Sequence, residues 1–227
     1  MNRTVQGDGA ARHSRRAPFV SAYRVPVPAT SKKIHQRRIL RARRLALSPE
    51  AQRLASRRLA AMLAGLPLFR TCRRIACYMP ADGEIDPTPV MERIWRMRKT
   101  CYLPVLSRLS HDRLWFAPVA PGTELAANRY GILEPVVPAR DLVRAQELDL
   151  ILLPLVGFDA RGNRLGMGGG FYDKSLEFLR HRRLWQKPHV LGLAHDFQKV
   201  AALSADPWDV PLQAVVTDVA VYTAEGG

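Results

Sequence analysis

Four glycines fall within five positions at Gly166, Gly168, Gly169 and Gly170, inside the run RGNRLGMGGGFYD (161–173). Lacking Cβ atoms, glycines admit φ > 0 and let successive N–H groups turn towards one point that an anion can approach closely. A helix predicted to begin at Phe171 adds unpaired N–H donors and the positive end of its dipole. Arg164 stands beside the cluster with a full positive charge. Together these residues have the chemistry of a phosphate cradle. It is not a P-loop, because no Lys-Ser/Thr follows the last glycine, and Phe171 stands where GxGxxG would need its third glycine. A plain turn is the competing reading. A turn needs one or two glycines, however, and each mid-chain glycine costs about 0.5–1 kcal/mol.

Cations recur at helical spacing near the start of the chain, at Lys33, Arg37 and Arg41. Like charges four apart share a helix face and repel by a few tenths of a kcal/mol, a sign that a polyphosphate would reverse. The alternative is a solvated basic face. Asp173, just inside the helix after the glycines, is either a first-turn acid stabilised by the helix dipole or a carboxylate for Mg²⁺. Glu84 lies in a Gly-containing loop where a carboxylate could accept paired N–H donors, although on its own it reads as a plain loop acid. The sequence has no GxSxG elbow, no HExxH and no Cys–His motif.

The elements that must position these residues are legible from patterning. Ser31 can cap a helix running through Lys33, Arg37, Arg41 and Arg44. Ser48-Pro49-Glu50 restarts a second helix with apolar residues at Leu54, Leu59, Met62 and Leu63. Arg74–Pro80 reads as a buried strand, and Pro87–Arg98 as a helix with Val90, Ile94 and Met97 on one face. Tyr102–Leu106 and Leu114–Val119 are short strands, the latter a candidate for antiparallel pairing. Asp149–Phe158 is a near-continuous apolar run of the kind found when both faces of a sheet are covered. Phe171–Arg183 is predicted helical, with His189–Ala194 and Ala214–Tyr222 as the last strands. Strands alternating with helices predict a single three-layer α/β domain, Rossmann-like, with a mostly parallel central sheet. Such sheets bind ligands at the carboxyl ends of their strands, here the loops after Met79, Phe158 and His195. His195 and Gln198 could reach a ligand there, but a lone histidine near a strand end is more often structural.

The 227 residues are 47% hydrophobic, enough for one α/β domain with a buried core. The net charge of +15 is concentrated at one end: residues 1–44 hold twelve Lys/Arg against one acid, the remainder twenty-three against nineteen. Residues 1–30 are Arg-rich and acid-poor without an apolar h-region, a composition shared by organellar transit peptides and disordered basic tails; a tail is expected, with the α/β domain over 31–227. Three cysteines, Cys72, Cys77 and Cys101, make no CxxC pair and fit a reducing compartment, so the cytoplasm is the expected location. No stretch is long and apolar enough for a membrane span. A basic tail could touch nucleic acid weakly, and an RNA-binding protein is one rival reading. Another is an enzyme on a related sheet that uses no ATP, such as a sugar-phosphate isomerase or CoA transferase.

The run LPLVGFDARGNRLGMGGGFYD (153–173) resembles the signature of 5-formyltetrahydrofolate cyclo-ligases, also called methenyltetrahydrofolate synthetases. Three further segments are similar to the family's and occur in its order: Lys33-x-x-x-Arg37, the DGEIDP loop (82–87), and LGLAHDFQ (191–198) followed by Asp209-Val-Pro. The resemblance spans about residues 31–222. It implies ATP-dependent cyclisation of 5-formyltetrahydrofolate to 5,10-methenyltetrahydrofolate with release of ADP and phosphate, and with Mg²⁺ as cofactor. It further implies an ATP site at Lys33, Arg37, Arg164, Leu165, Gly166, Met167, Gly168, Gly169, Gly170, Phe171 and Tyr172. Met79 and Glu84 would contact the folate, and Asp173 and Asp209 the metal. Met167 stands where the family often has Arg, which would remove one phosphate contact. The partners expected are folate and ATP, with a monomer as the default assembly.

Overall fold

The strand Leu150–Pro154 shows how this sequence makes its sheet. In LILLP, Leu150 and Leu152 join one buried cluster and Ile151 and Leu153 a second on the opposite face. Side chains of a strand alternate between faces, so a run that is apolar at every position is a strand covered on both sides. Burial of each such leucine is worth about 1.5–3 kcal/mol. His189–Ala194 and Ala214–Thr217 repeat the alternation, with Leu191, Leu193, Ala214 and Val216 on the first face and Val190, Ala194 and Val215 on the second.

The computed structural model describes residues 31–106, 112–181 and 187–224. The expected N-terminal tail, with its proposed nucleic-acid contact, lies outside the described residues. In chain order the helices are α1 (Ser31–Leu45), α2 (Pro49–Gly65), α3 (Pro67–Thr71), α4 (Thr88–Arg96) and α5 (Phe171–Leu176). The main sheet contains β1 (Arg74–Ala76), β2 (Thr100–Leu106), β3 (Leu114–Val119), β6 (Leu150–Pro154), β9 (His189–Ala194), β10 (Ala214–Thr217) and β11 (Val221–Thr223). Two small hairpins are added by β4 (Leu125–Ala127) with β5 (Leu133–Pro135), and by β7 (Gly157–Phe158) with β8 (Arg164–Leu165). The seven-stranded order is β11-β10-β9-β6-β1-β2-β3. The five inner strands run parallel, and the edge strands β3 and β11 pair antiparallel. Helices α2, α3 and α4 cover the first face, while α5 and short 3-10 segments cover the second, giving the expected three-layer, mostly parallel α/β fold.

Several expected boundaries shift for physical reasons. The Ser48 hydroxyl caps α2 by accepting the Ala51 N–H at 3.1 Å, as the Ser-Pro-Glu pattern predicts. Leu54, expected on the buried face, is exposed. Helix α4 stops at Arg96 because Arg98 takes a positive φ, so Met97 lies beyond it, 38% exposed, and Met91 takes the buried place instead. The long run Asp149–Phe158 is two strands: at Val156 the chain leaves the sheet and its N–H bonds the Leu165 carbonyl. Ala214–Tyr222 folds back at Thr217–Ala220 into an antiparallel pair. The helix expected over Phe171–Arg183 is six residues long and tightens into a 3-10 turn over Glu177–His181, with 182–186 outside the described residues. None of the helices of the described residues is long and apolar enough to cross a membrane.

Candidate active site

Helix α1 does not present its cations to solvent as a simple stripe. Lys33, Leu40 and Arg44 are buried and Arg37 partly so, a spacing of four, three and four that turns one helix face onto the body. Arg37 Nε donates to the Gly166 carbonyl at 2.8 Å, bringing the helix against the glycine loop across 129 positions of sequence. Lys33 Nζ pairs with Asp206 Oδ2 at 2.6 Å. Arg41, one turn further along, pairs with Asp82 at 2.8 Å and is partly exposed.

The glycine loop leaves β8 and enters α5. Arg164, nearly buried, donates to the Val210 carbonyl and to Asp173, and the Val210 N–H donates back to Asp173 Oδ1 at 3.2 Å. Leu165 is buried with Leu40 and Val156, which anchors the loop's start. Gly168 takes φ +106° and Gly170 φ +68°, conformations that side-chain-bearing residues rarely adopt, and a Cβ on either would meet open space. Among the described residues, no N–H of Gly166–Gly170 donates to a backbone carbonyl. Met167, Gly168 and Gly169 are exposed. The cradle is thus fixed at both ends and open in the middle. Phe171 meets the ring of Tyr130 edge-on at 6.0 Å, so the β4–β5 hairpin reaches the loop. Tyr172 is half-buried against the second core face, and burial pushes its phenol up, with Glu84 and then Cys77 adding to the rise.

Asp209 closes the same corner. Its carboxyl accepts the Asp206 N–H at 2.8 Å. Burial raises its pKa, and the neighbouring charges of Asp173 and Asp206 raise it further, against the pull of that N–H and of Lys33. Carboxylates that destabilise one another's charge favour a cation between them. Asp173 has one oxygen engaged by Arg164 and Val210 and a second without such a bond among the described residues. Mg²⁺ at a nucleotide takes one or two carboxylates and completes its shell with phosphate and water, so the pair Asp173 and Asp209 fits such an ion. They do not form a complete protein cage: among the described residues no group of three or more His, Cys, Asp or Glu is placed to hold a metal.

Glu84 lies at a second corner, in the loop after β1. Its side chain is 9% exposed; Oε2 accepts the Ala81 N–H at 3.2 Å and Oε1 lies 3.8 Å from Arg44. Burial pushes its carboxyl up to about 7, opposed by that N–H and by Arg44. Met79, three residues past the end of β1, packs partly buried on the first core face. His195 and Gln198 are buried, and Gln198 is spent on structure: its amide donates to the Leu155 and Val156 carbonyls and accepts the His195 N–H. Asp206 and Arg44 are the site residues that motif reading missed. Asp206 could have been found as the acid three positions before Asp209; Arg44 sits in a run of arginines where nothing marks the buried one.

Comparison with known proteins decides between the readings this geometry allows. The model of the 5-formyltetrahydrofolate cyclo-ligase family matches residues 29–218. The chain belongs to that family. It is 41% identical over 184 residues to the 5-formyltetrahydrofolate cyclo-ligase of Escherichia coli (strain K12), covering 81% of this chain and 99% of that one. It is 40% identical over 145 residues to that of Haemophilus influenzae, covering 63% and 74%. Among solved structures it resembles the 5,10-methenyltetrahydrofolate synthetase of Aquifex aeolicus with TM-score 0.72 and 32% identity, over 86% of this chain and 94% of that one. A cyclo-ligase is an enzyme of folate one-carbon chemistry, so this assignment separates the chain from the RNA-binding, isomerase and CoA-transferase readings.

Proposed function

We propose that the protein couples ATP hydrolysis to ring closure, converting 5-formyltetrahydrofolate to 5,10-methenyltetrahydrofolate with release of ADP and phosphate. The γ-phosphoryl group passes to the formyl oxygen, N10 attacks the activated formyl carbon and gives up its proton, and the C–O bond breaks as phosphate leaves. The observation that carries this reading is the meeting of Lys33, Arg37 and Arg164 with an anchored, open glycine loop beside Asp173 and Asp209. Phosphoryl transfer needs alignment and charge neutralisation, and those groups supply both. Mg²⁺ held by Asp173 and Asp209 would shield the phosphate charge. Gly166, Met167, Gly168, Gly169, Gly170 and Phe171 would present backbone N–H groups to the phosphates, Leu165 would fix the loop's start, and Tyr172 would line the site towards Glu84. Glu84 would hold the pterin by its paired N–H donors, with Met79 as an apolar wall. Purified protein mixed with 5-formyltetrahydrofolate and Mg·ATP should generate the methenyl absorbance, and omitting ATP or chelating Mg²⁺ should abolish it. Product formation without nucleotide would overturn the proposal.

A further inference from the structure

Arg44 is the largest fully buried side chain described in the protein. A guanidinium cannot shed its proton to escape burial, so a buried one must be compensated by acceptors and countercharge. Arg44 is compensated thinly. One N–H donates to the Leu155 carbonyl at 3.2 Å, the nearest carboxylate oxygen is Glu84 Oε1 at 3.8 Å, and Nε and Nη2 have no hydrogen-bond partner among the described residues. An arginine kept only for packing would be expected to fill its donors.

The loop that carries Glu84 is folded onto this residue. Gly83 takes φ +71°, and a Cβ there would stand 3.0 Å from the Arg44 carbonyl group. The Gly83 carbonyl accepts Gln52 Nε2 at 3.0 Å, and the buried His195 ring faces the Gly83 backbone and the Arg44 charge. Helix α1, helix α2 and the end of β9 therefore all converge on the turn that presents Glu84, with the guanidinium beneath it.

We propose that Arg44 is a positioning residue of the folate half-site: its buried guanidinium orients Glu84 and holds it as the carboxylate that receives the pterin's N–H donors. This rests on the reading of Glu84 as the folate contact. The groups facing Glu84 are Arg44 and Arg41 from α1, Asp82 and the Ala81 N–H from its own loop, Tyr78 from the segment after β1, and Tyr172 from α5. Burial pushes the Glu84 carboxyl up to about 7, with the Ala81 N–H and then Arg44 working against it. Arg44 is the nearest positive charge to it, and removing that charge leaves burial and Asp82 opposed chiefly by the Ala81 N–H.

The test is the KM for 5-formyltetrahydrofolate across pH 5.5–9, at saturating Mg·ATP, in the wild type, Arg44→Lys, Arg44→Met and Glu84→Gln. In the wild type KM should rise as pH falls through about 7. Arg44→Met should move that limb to higher pH by about one unit and raise KM at least about tenfold at pH 7.5, with KM for ATP within twofold of wild type. Arg44→Lys, which keeps the charge and loses the planar fork, should leave the limb in place and raise KM about threefold. Glu84→Gln should abolish the limb, and Arg44→Met added to it should restore none. An Arg44→Met limb that does not move overturns the inference and leaves Glu84 standing; a Glu84→Gln protein with wild-type folate KM overturns the Glu84 reading itself. If thermal unfolding shows that Arg44→Met does not fold, Arg44→Lys decides: unchanged folate KM overturns the inference, and a selective rise supports it.

Discussion

Replacement of Gly168 by valine puts the cradle to a test in which strain and chemistry can be separated. Gly168 takes φ +106°, well away from the left-handed well near +57° that Asn or Asp can visit. Forcing an L-residue into such a region costs about 1–3 kcal/mol. At roughly 2–4 °C per kcal/mol for a chain of this size, the Tm of Gly168→Val should fall by about 2–12 °C. The surrounding space is open, so no clash adds to that figure. Relaxing the strain means moving the loop, and displacing a reacting phosphate by about 1 Å can cost on the order of a hundredfold in rate. Gly166 is the control. It lies outside the positive-φ glycines and a Cβ there also meets nothing within 4 Å, so Gly166→Ala should leave stability within about 0.5 kcal/mol. If phosphate packs against the loop as proposed, the added methyl, which meets only open space now, should still weaken ATP. The assays are thermal unfolding, ATP binding by calorimetry, and methenyltetrahydrofolate formation. A folded Gly168→Val protein with wild-type ATP affinity and turnover would reduce the glycine cluster to a turn and remove the ground for the ATP site.

Glu84→Gln should raise the KM for folate about tenfold or more while ATP affinity stays within twofold, since it removes a charged acceptor from the pterin. The same substitution should flatten a pH dependence of stability: with the folded carboxyl raised to about 7, its favourable contribution is full below the unfolded value near 4.5 and is lost as pH rises through 7. Urea titrations at pH 5.5 and 8 read this directly, and an identical slope in the variant would refute it. Lys33→Ala should raise KM for ATP severalfold with kcat largely kept. Its Tm should change little, because the carboxylate left without a partner, Asp206, is 41% exposed and stays solvated. A truncation beginning at Ser31 should keep near-normal kcat, and any salt-sensitive RNA binding should disappear with residues 1–30; a large kcat loss in a folded truncation would show that the tail serves the chemistry.

The parts of the fold that were legible are those where burial leaves a periodic trace. Leu150–Pro154 and His189–Ala194 announced themselves because both of their faces are covered, and Ser48-Pro49 because capping is local chemistry. What failed was continuity: nothing in an apolar run reveals that Val156 leaves the sheet, since the partner that takes its N–H is the Leu165 carbonyl, brought back by a turn. The β4–β5 hairpin was missed although Asn128 and Gly131 bracket its turn, with Asn128 Oδ1 accepting the Tyr130 and Ile132 N–H groups. In the site, the glycines carried their own signal through their backbone freedom. Asp206 and Arg44 did not, because a charge becomes informative only when a tertiary partner is seen beside it.

Those partners also bear on how the site must work. Lys33 is held by Asp206, Arg37 by the Gly166 carbonyl, and Arg164 by Asp173 and Val210, so none of the three cations waits free for phosphate. Arg37 and Arg164 keep donors to spare, since a guanidinium has five N–H groups, and can accept phosphate without releasing their present partners. Lys33 is a compact ammonium whose shortest contact is already a carboxylate, and a phosphate must share or displace Asp206 to reach it. On the proposed ATP reading the arginines would preorganise the cradle, while Lys33 would engage phosphate at the cost of an exchange. On that reading loss of Lys33 should weaken ATP without collapsing the loop, and a carboxylate displaced from Lys33 would remain available to the cation that accompanies the phosphates.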